Sequence, residues 1–170
     1  MAEEIINKIS QSELLTLDPE QFYPVEGIQV FDLKPYLFME LILKEKDFRA
    51  ALITTDWSLY RQKIVAVHCS ADAIIPVWAY MLVTSYLQPV ASAVFLGDEK
   101  TVLQQLISER IREINLEDYR DKRIVIKGCG EKGIGDFAYL ELTKRLRPIA
   151  QSIMYGEPCS TVPIYKKPKN

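Results

Sequence analysis

The chain has little histidine, no excess of positive charge and no long uninterrupted apolar run. Its 21 lysines and arginines are outnumbered by 23 aspartates and glutamates. No net positive field is therefore available to neutralise a phosphate backbone, and nucleic acid is not an expected partner. The basic end Lys166-Lys167-Pro168-Lys169 reads as a solvated tail. The longest apolar stretch, Ala73 to Leu87, is broken by Pro76, Thr84 and Ser85. It falls short of the roughly 20 residues a membrane helix needs, so no membrane span is expected. The opening "MAEEIINKIS" is acidic and only briefly apolar, unlike a secretory signal, which makes the cytoplasm the expected location.

Several catalytic signatures are missing. No G-x-S-x-G elbow and no phosphate-binding Gly-Lys-Ser/Thr loop occurs. "PCST" resembles half of a zinc deaminase motif, but Val162 stands where the second cysteine belongs, and Ser70 stands where His68 would need an acid two residues on. Deamination is therefore not expected. His68 is the only histidine, so imidazole acid–base chemistry would rest on one ring. Side chains alternate along a strand, so His68 should point away from wherever Cys69 points, which favours a hydrogen-bonded histidine under a helix over a ligand.

The chain does contain the material of one globular domain: 170 residues, of which 48% are hydrophobic and 26% charged. "KIVAVHC" is a short apolar β-branched run without alternation, as in a strand buried on both faces. "ADAIIPVWAYMLVTSYL" reads as a helix, with Asp72 as N-cap, Pro76 in the first turn and Pro89 beyond the end. "SAVFLG" is a strand, and "DEKTVLQQLISERIREIN" is an amphipathic helix capped by Asp98. "KRIVIKG" is a strand, "DFAYLELTKRL" a helix and "QSIMYG" a last strand.

The order β-α-β-α-β-α-β over residues 63–155 predicts an α/β fold: one mainly parallel sheet with helices on both faces, a three-layer single domain spanning 1–170. Residues 1–30 read as an N-terminal extension, although "IQVF" has strand character, and "LKPYLFMELILKEKDFRAAL" looks helical. No internal repeat and no low-complexity linker is read. Trp57, Trp78 and Tyr80 are assigned to packing. The oligomeric state is left open.

Three cysteines, an odd number, are expected as thiols, metal ligands or redox groups in a reducing compartment. Cys69, Cys129 and Cys159 each lie at or just past the carboxyl end of an expected strand, the edge where open α/β sheets bind ligands. Convergence there would make a site for zinc or an iron–sulfur cluster, with Asp72, Glu157 or Asp98 as a fourth ligand. A metal-free alternative uses Cys159 or Cys129 as a reactive thiol carrying sulfur or attacking an electrophile. A third reading is nucleotide binding at "GCGEKG", where Gly128, Gly130 and Gly133 satisfy G-x-G-x-x-G between a strand and a helix.

The segments "CSADAIIPVWAYML", "VIKGC" and "MYGEPCSTVPIYK", with "LILKEKDFRAAL" and "TTDWSLY", resemble the landmarks of a bacterial domain-of-unknown-function family from about Phe31 onward. The resemblance implies an iron–sulfur or sulfur-handling context, because relatives' genes are sometimes found beside iron–sulfur cluster assembly genes, and it makes the assembly proteins expected partners. It also implies that the position of Gly130 is often serine in relatives, which weakens the nucleotide reading.

Overall fold

A computed structural model of the chain describes residues 14–128 and 130–168. Its strands are β1 (Leu14–Leu17), β2 (Ile28–Asp32), β3 (Leu37–Phe38), β4 (Ile42–Leu43), β5 (Ile64–His68), β6 (Ala93–Leu96), β7 (Arg123–Ile126), β8 (Ser152–Glu157) and β9 (Ser160–Lys166). Its α-helices are α1 (Glu45–Thr54), α2 (Val77–Leu87), α3 (Glu99–Arg112) and α4 (Asp136–Leu146). The α/β class and the order of elements from β5 to β8 match the sequence expectation.

The single parallel sheet does not form. Its strands divide between two sheets, β2-β5-β6 and β1-β7-β8-β9, every pairing of which is parallel except β8–β9. The chain correspondingly separates into two compact units, residues 24–105 and residues 1–23 with 106–170. The sequence pattern shows which runs become strands, but it contains nothing about which runs pair.

The two units follow one plan, which the sequence reading missed as a repeat. From α1 to β6 and from α3 to β8, equivalent residues stand at a constant offset of 59, as from Tyr60 to Tyr119. Buried positions coincide: Phe48 with Ile107, Leu52 with Ile111, Val65 with Ile124, Ala79 with Ala138, Val83 with Leu142, Leu87 with Leu146. Local devices coincide too. Asp56 and Asn115 each cap a short 3-10 turn by accepting a backbone N–H two residues on. Gln62 (φ 57°) and Asp121 (φ 54°) then take the left-handed conformation, and their N–H groups donate to Val90 O and Ile149 O, both at 2.9 Å. Each unit also borrows a first strand, β2 or β1, that pairs in the same register with its central strand, Ile28 opposite Ile64 and Leu14 opposite Arg123. Those first strands are only 14 residues apart, so no single spacing covers the whole repeat.

Four local expectations are corrected. α2 is capped by Pro76, not Asp72, because Pro76 is itself extended and Asp72 lies in the loop before it. The helix expected across residues 33–52 begins only at Glu45; Leu37–Phe38 and Ile42–Leu43 form a hairpin turned by Met39 and Glu40, both with positive φ. β1 lies inside the supposed N-terminal extension and pairs with β7. β9 was not anticipated because Pro163 interrupts its strand pattern; a bulge between Ile153 and Met154 and an edge position accommodate it. The packing assignments hold: Phe31, Phe48, Leu52, Val65 and Val83 form the core of the 24–105 unit, with Trp57, Trp78 and Tyr80 packed against it.

Gly156 fixes the β8–β9 hairpin. Its φ is 121°, and a Cβ there would lie 2.5 Å from Ser160 O. Gly156→Ala is expected to cost about 2–4 kcal/mol, combining left-handed strain with a backbone clash, whereas Gly27→Ala, which meets nothing within 4 Å, should change stability by less than about 0.5 kcal/mol. Urea denaturation of the two variants checks the contrast.

Candidate functional site

Parallel strands bring their carboxyl ends to one edge, so each unit gathers the residues that end or follow its strands. In the unit of residues 106–170 with 1–23, these are Asp18 after β1, Lys127 after β7 and Glu157 at the end of β8. The backbone N–H of Lys127 donates to Leu17 O at 2.9 Å, carrying the ladder one step beyond the assigned strands. The Lys127 ammonium then reaches Asp18 Oδ2 at 3.1 Å, while Asp18 Oδ1 accepts the Glu20 N–H at 3.0 Å. Burial alone would raise the Asp18 carboxyl; the hydrogen bonds from Glu20 and Lys127 outweigh it and hold the group below the usual range. Lys127 is raised, first by its hydrogen bond and charge attraction to Asp18, with Glu157 and Glu20 adding to it. Glu157 Oε1 is shut off from solvent and has no hydrogen-bond partner among the described residues.

A cavity of about 240 Å³ opens beside this pair, between the turn at Asp18–Glu20 and the loop at residues 128–134. The loop's glycines answer to protein side chains. A Cβ at Gly128 would lie 2.7 Å from the Tyr155 ring, a Cβ at Gly130 would strike the Glu20 carboxylate, and Gly133 has open space. Glu20 Oε1 accepts the Lys132 N–H at 2.5 Å, so an internal carboxylate already holds part of the loop's amide cradle. Lys132 Nζ sits 5.1 Å from the Tyr23 ring centroid. A second cavity, about 420 Å³ and more apolar, shares Asp136, Tyr139 and Tyr155 with the first. The two tyrosine rings meet edge to face at 5.6 Å, and Tyr139 Oη–H donates to Lys127 O at 3.4 Å.

The equivalent edge of the 24–105 unit holds Asp32 at the end of β2, His68 at the end of β5 and Asp98 after β6. Asp32 accepts the backbone N–H groups of Lys34 and Ser70, both at 2.9 Å, and the Ser70 hydroxyl at 2.5 Å. Burial would raise its carboxyl, and the Ser70 hydroxyl, these N–H groups and the nearby His68 bring it below the usual range. Asp98 accepts the Thr101 N–H at 2.8 Å, capping α3 as expected, and is lowered first by that residue and further by His68. Both edges therefore carry an acid from the first strand, a nitrogen base from the central strand and an acid from the third.

The cysteines are distributed between the units. Cys69 directly follows the central strand of the 24–105 unit, half-buried against its core, with its thiol donating to Ala71 O at 3.7 Å. Cys159 belongs to the other unit and is exposed in the two-residue turn of the β8–β9 hairpin. Cys129 lies outside the described residues. Among the described residues no three histidine, cysteine or carboxylate groups converge as a ready-made ligand set, and none of the helices is long and apolar enough to cross a membrane. Asp72 is exposed in the loop after Cys69.

Sequence reasoning missed Asp18, Glu20, Asp32 and Lys127. The available signal was a polar residue closing each of the apolar runs "LLTL", "IQVF" and "IVI".

Asp18→Asn should lower stability by about 0.5–1 kcal/mol at neutral pH, as expected for a half-exposed ion pair. Because the folded-state carboxyl is depressed, this difference is full above the ordinary carboxylate range and disappears as acid protonates Asp18. Because Lys127 is raised, the difference also shrinks once alkali deprotonates the ammonium. Urea midpoints of both proteins across pH check both limbs.

No curated protein and no solved structure matches the chain. A family model described as "Protein of unknown function (DUF2480)" matches residues 3–167. With that match spanning nearly its whole length, the chain belongs to the DUF2480 family.

Proposed function

We propose that the protein binds a metal ion or an iron–sulfur cluster through Cys129 and Cys159 of the 106–170 unit, with Cys69 of the 24–105 unit as a separate thiol. The observation that carries this reading is the Glu157 carboxylate. Its Oε1 is sealed from water without a donor among the described residues, two positions before the exposed thiol of Cys159. A buried carboxylate oxygen left unpaired costs several kcal/mol in general, and a bound cation removes that cost. Sulfur from the cysteines with one carboxylate oxygen is a donor set that zinc accepts and that an iron–sulfur cluster tolerates with one non-cysteine ligand. Gly128 and Gly130, the sequence neighbours of Cys129, line the cavity at the same strand edge. The bound group would supply Lewis acidity or electron storage. The protein would supply the sulfur ligands, place the Glu157 carboxylate near Lys127 and shape the hairpin through Gly156. A cytoplasmic carrier or maturation factor that meets iron–sulfur assembly proteins is the role this chemistry suits.

The exposed Cys159 also supports a metal-free reading in which one thiol reacts with an electrophile or carries sulfur. Nucleotide binding at Gly128–Gly133 is less well supported, because an incoming phosphate would have to displace the Glu20 carboxylate from the Lys132 N–H.

Protein purified without oxygen, or reconstituted with iron and sulfide, is assayed for metal, acid-labile sulfide and visible absorption. Wild type should hold a stoichiometric group, Cys129→Ser and Cys159→Ser should each remove most of it, Cys69→Ser should leave it in place, and Glu157→Gln should weaken it roughly tenfold. Equal metal content in wild type, Cys129→Ser and Cys159→Ser would sink the proposal. A metal-free wild type with one fast-alkylating cysteine would transfer the assignment to thiol chemistry.

A further inference from the structure

The repeat reveals what one unit has and the other lacks. In the 106–170 unit, the apolar cavity is walled by Tyr139, Leu140 and Thr143 of α4, by Ile126 and Tyr155 of the sheet, and by Ile164 of β9. Moving back 59 residues gives Tyr80, Met81 and Thr84 of α2 with Val67 and Leu96, so these side chains share one face of the 24–105 unit. Among the described residues nothing corresponds to Ile164. β6 is the last strand of its sheet, whereas β8, its equivalent, is covered by the antiparallel strand β9.

The uncovered face is strongly apolar. Val77, Met81 and Leu96, the counterparts of the cavity residues Asp136, Leu140 and Tyr155, are 73%, 67% and 63% exposed. No charged residue occurs from Ala73 to Gly97. β6 itself, Ala93-Val94-Phe95-Leu96, carries no lysine, proline or bulge of the kind that normally blunts an edge strand. An exposed patch of this kind marks an interaction surface.

We propose that this face is a dimer interface in which β6 pairs antiparallel with β6 of a second copy. Three features favour a second copy over another occupant. A two-fold axis makes two identical edge strands antiparallel, which is the orientation β9 adopts on β8. A surface with no charge offers nothing for a charged partner to select, and meeting its own copy buries no ion. The three exposed side chains amount to about 400 Å² per copy, and the β6 backbone and the rest of the α2 face add to this, toward the roughly 800 Å² per partner of a standard interface. Two half-length α2 faces, with Val77 and Met81 one turn apart, then flank the joined strands.

The test uses the full chain in sedimentation velocity over a concentration series, with hydrogen exchange at low and high concentration. Wild type should form a dimer and no larger species, with β6 amides protected as it forms. Met81→Lys and Leu96→Lys change surface side chains, so folding is retained, and each should weaken dimerisation roughly tenfold or more, as for central interface residues. Ile53→Lys, at an equally exposed position on α1, should leave the dimer intact. A wild type that stays monomeric to about 100 μM, well above a micromolar dissociation constant, would overturn the interface. So would a dimer indifferent to both lysine variants, or one whose β6 amides stay unprotected.

Discussion

The parallel pairing of β7 with β1 and β8, and of β5 with β2 and β6, is the constraint from which the other features follow. A parallel pair cannot close through a tight turn, so parallel neighbours are joined by longer connections, and all the parallel strands of a unit then end at one edge. The interior of such a sheet admits only apolar side chains; Val65, Ala66, Ile124 and Val125 are wholly buried. Polar chemistry is therefore displaced to the residues that end or closely follow each strand. Asp18, Lys127 and Glu157 in one unit, and Asp32, His68 and Asp98 in the other, occupy those positions for that reason.

The edges differ because their nitrogen bases differ. Lys127 is a permanent cation at neutral pH with a flexible stem, and it reaches Asp18 directly. His68 is a ring fixed at a strand end, and Asp32 instead binds the chain segment after it through Ser70. The loop after the central strand changes with the base. In one unit Asp32 holds down the start of "CSADAIIP"; in the other, Glu20 takes the Lys132 N–H of "GCGEKGIG". Both loops are thus anchored by a carboxylate from the first strand or the turn behind it, which explains why a glycine-rich loop after a strand need not signify a nucleotide.

How much of this was legible depends on range in the chain. The elements from β5 to β8 could be read because each is announced locally, by a β-branched run, by Asp98 before α3, or by Pro89 and Pro148 after α2 and α4. The prominence of the strand ends was also legible, since Cys69 and Glu157 do stand there. Partner choice was not legible. Whether "KIVAVH" and "KRIVIK" share a sheet depends on β1 and β2, short strands of which only "IQVF" was noticed. The repeat was hidden for a related reason. Its identities, such as Arg61 with Arg120 and Pro89 with Pro148, are scattered among substitutions that conserve only burial, and its first strands break the spacing. The hairpin at β3–β4 defeated a helical pattern because Met39 and Glu40 take positive φ, a conformation that neither residue type signals. Cys129 falls outside the described residues, so its reading rests on sequence alone.

The repeat also separates residues the fold demands from residues it does not. Tyr60 and Tyr119, Lys63 and Lys122, Thr84 and Thr143, and Gly97 and Gly156 recur because the same turn, helix and strand end must be built twice; both threonines donate to the carbonyl four residues back. Cysteine does not recur. Cys69 aligns with Gly128, Cys129 with Ser70, and Cys159 lies in a hairpin that the other unit lacks altogether. Gly128 and Ser70 stand at the positions matching Cys69 and Cys129, so the shared plan does not by itself call for a cysteine at either place. The two described cysteines differ in setting: Cys159 is exposed on the turn that follows Gly156, whereas Cys69 is half-buried against the core of its unit.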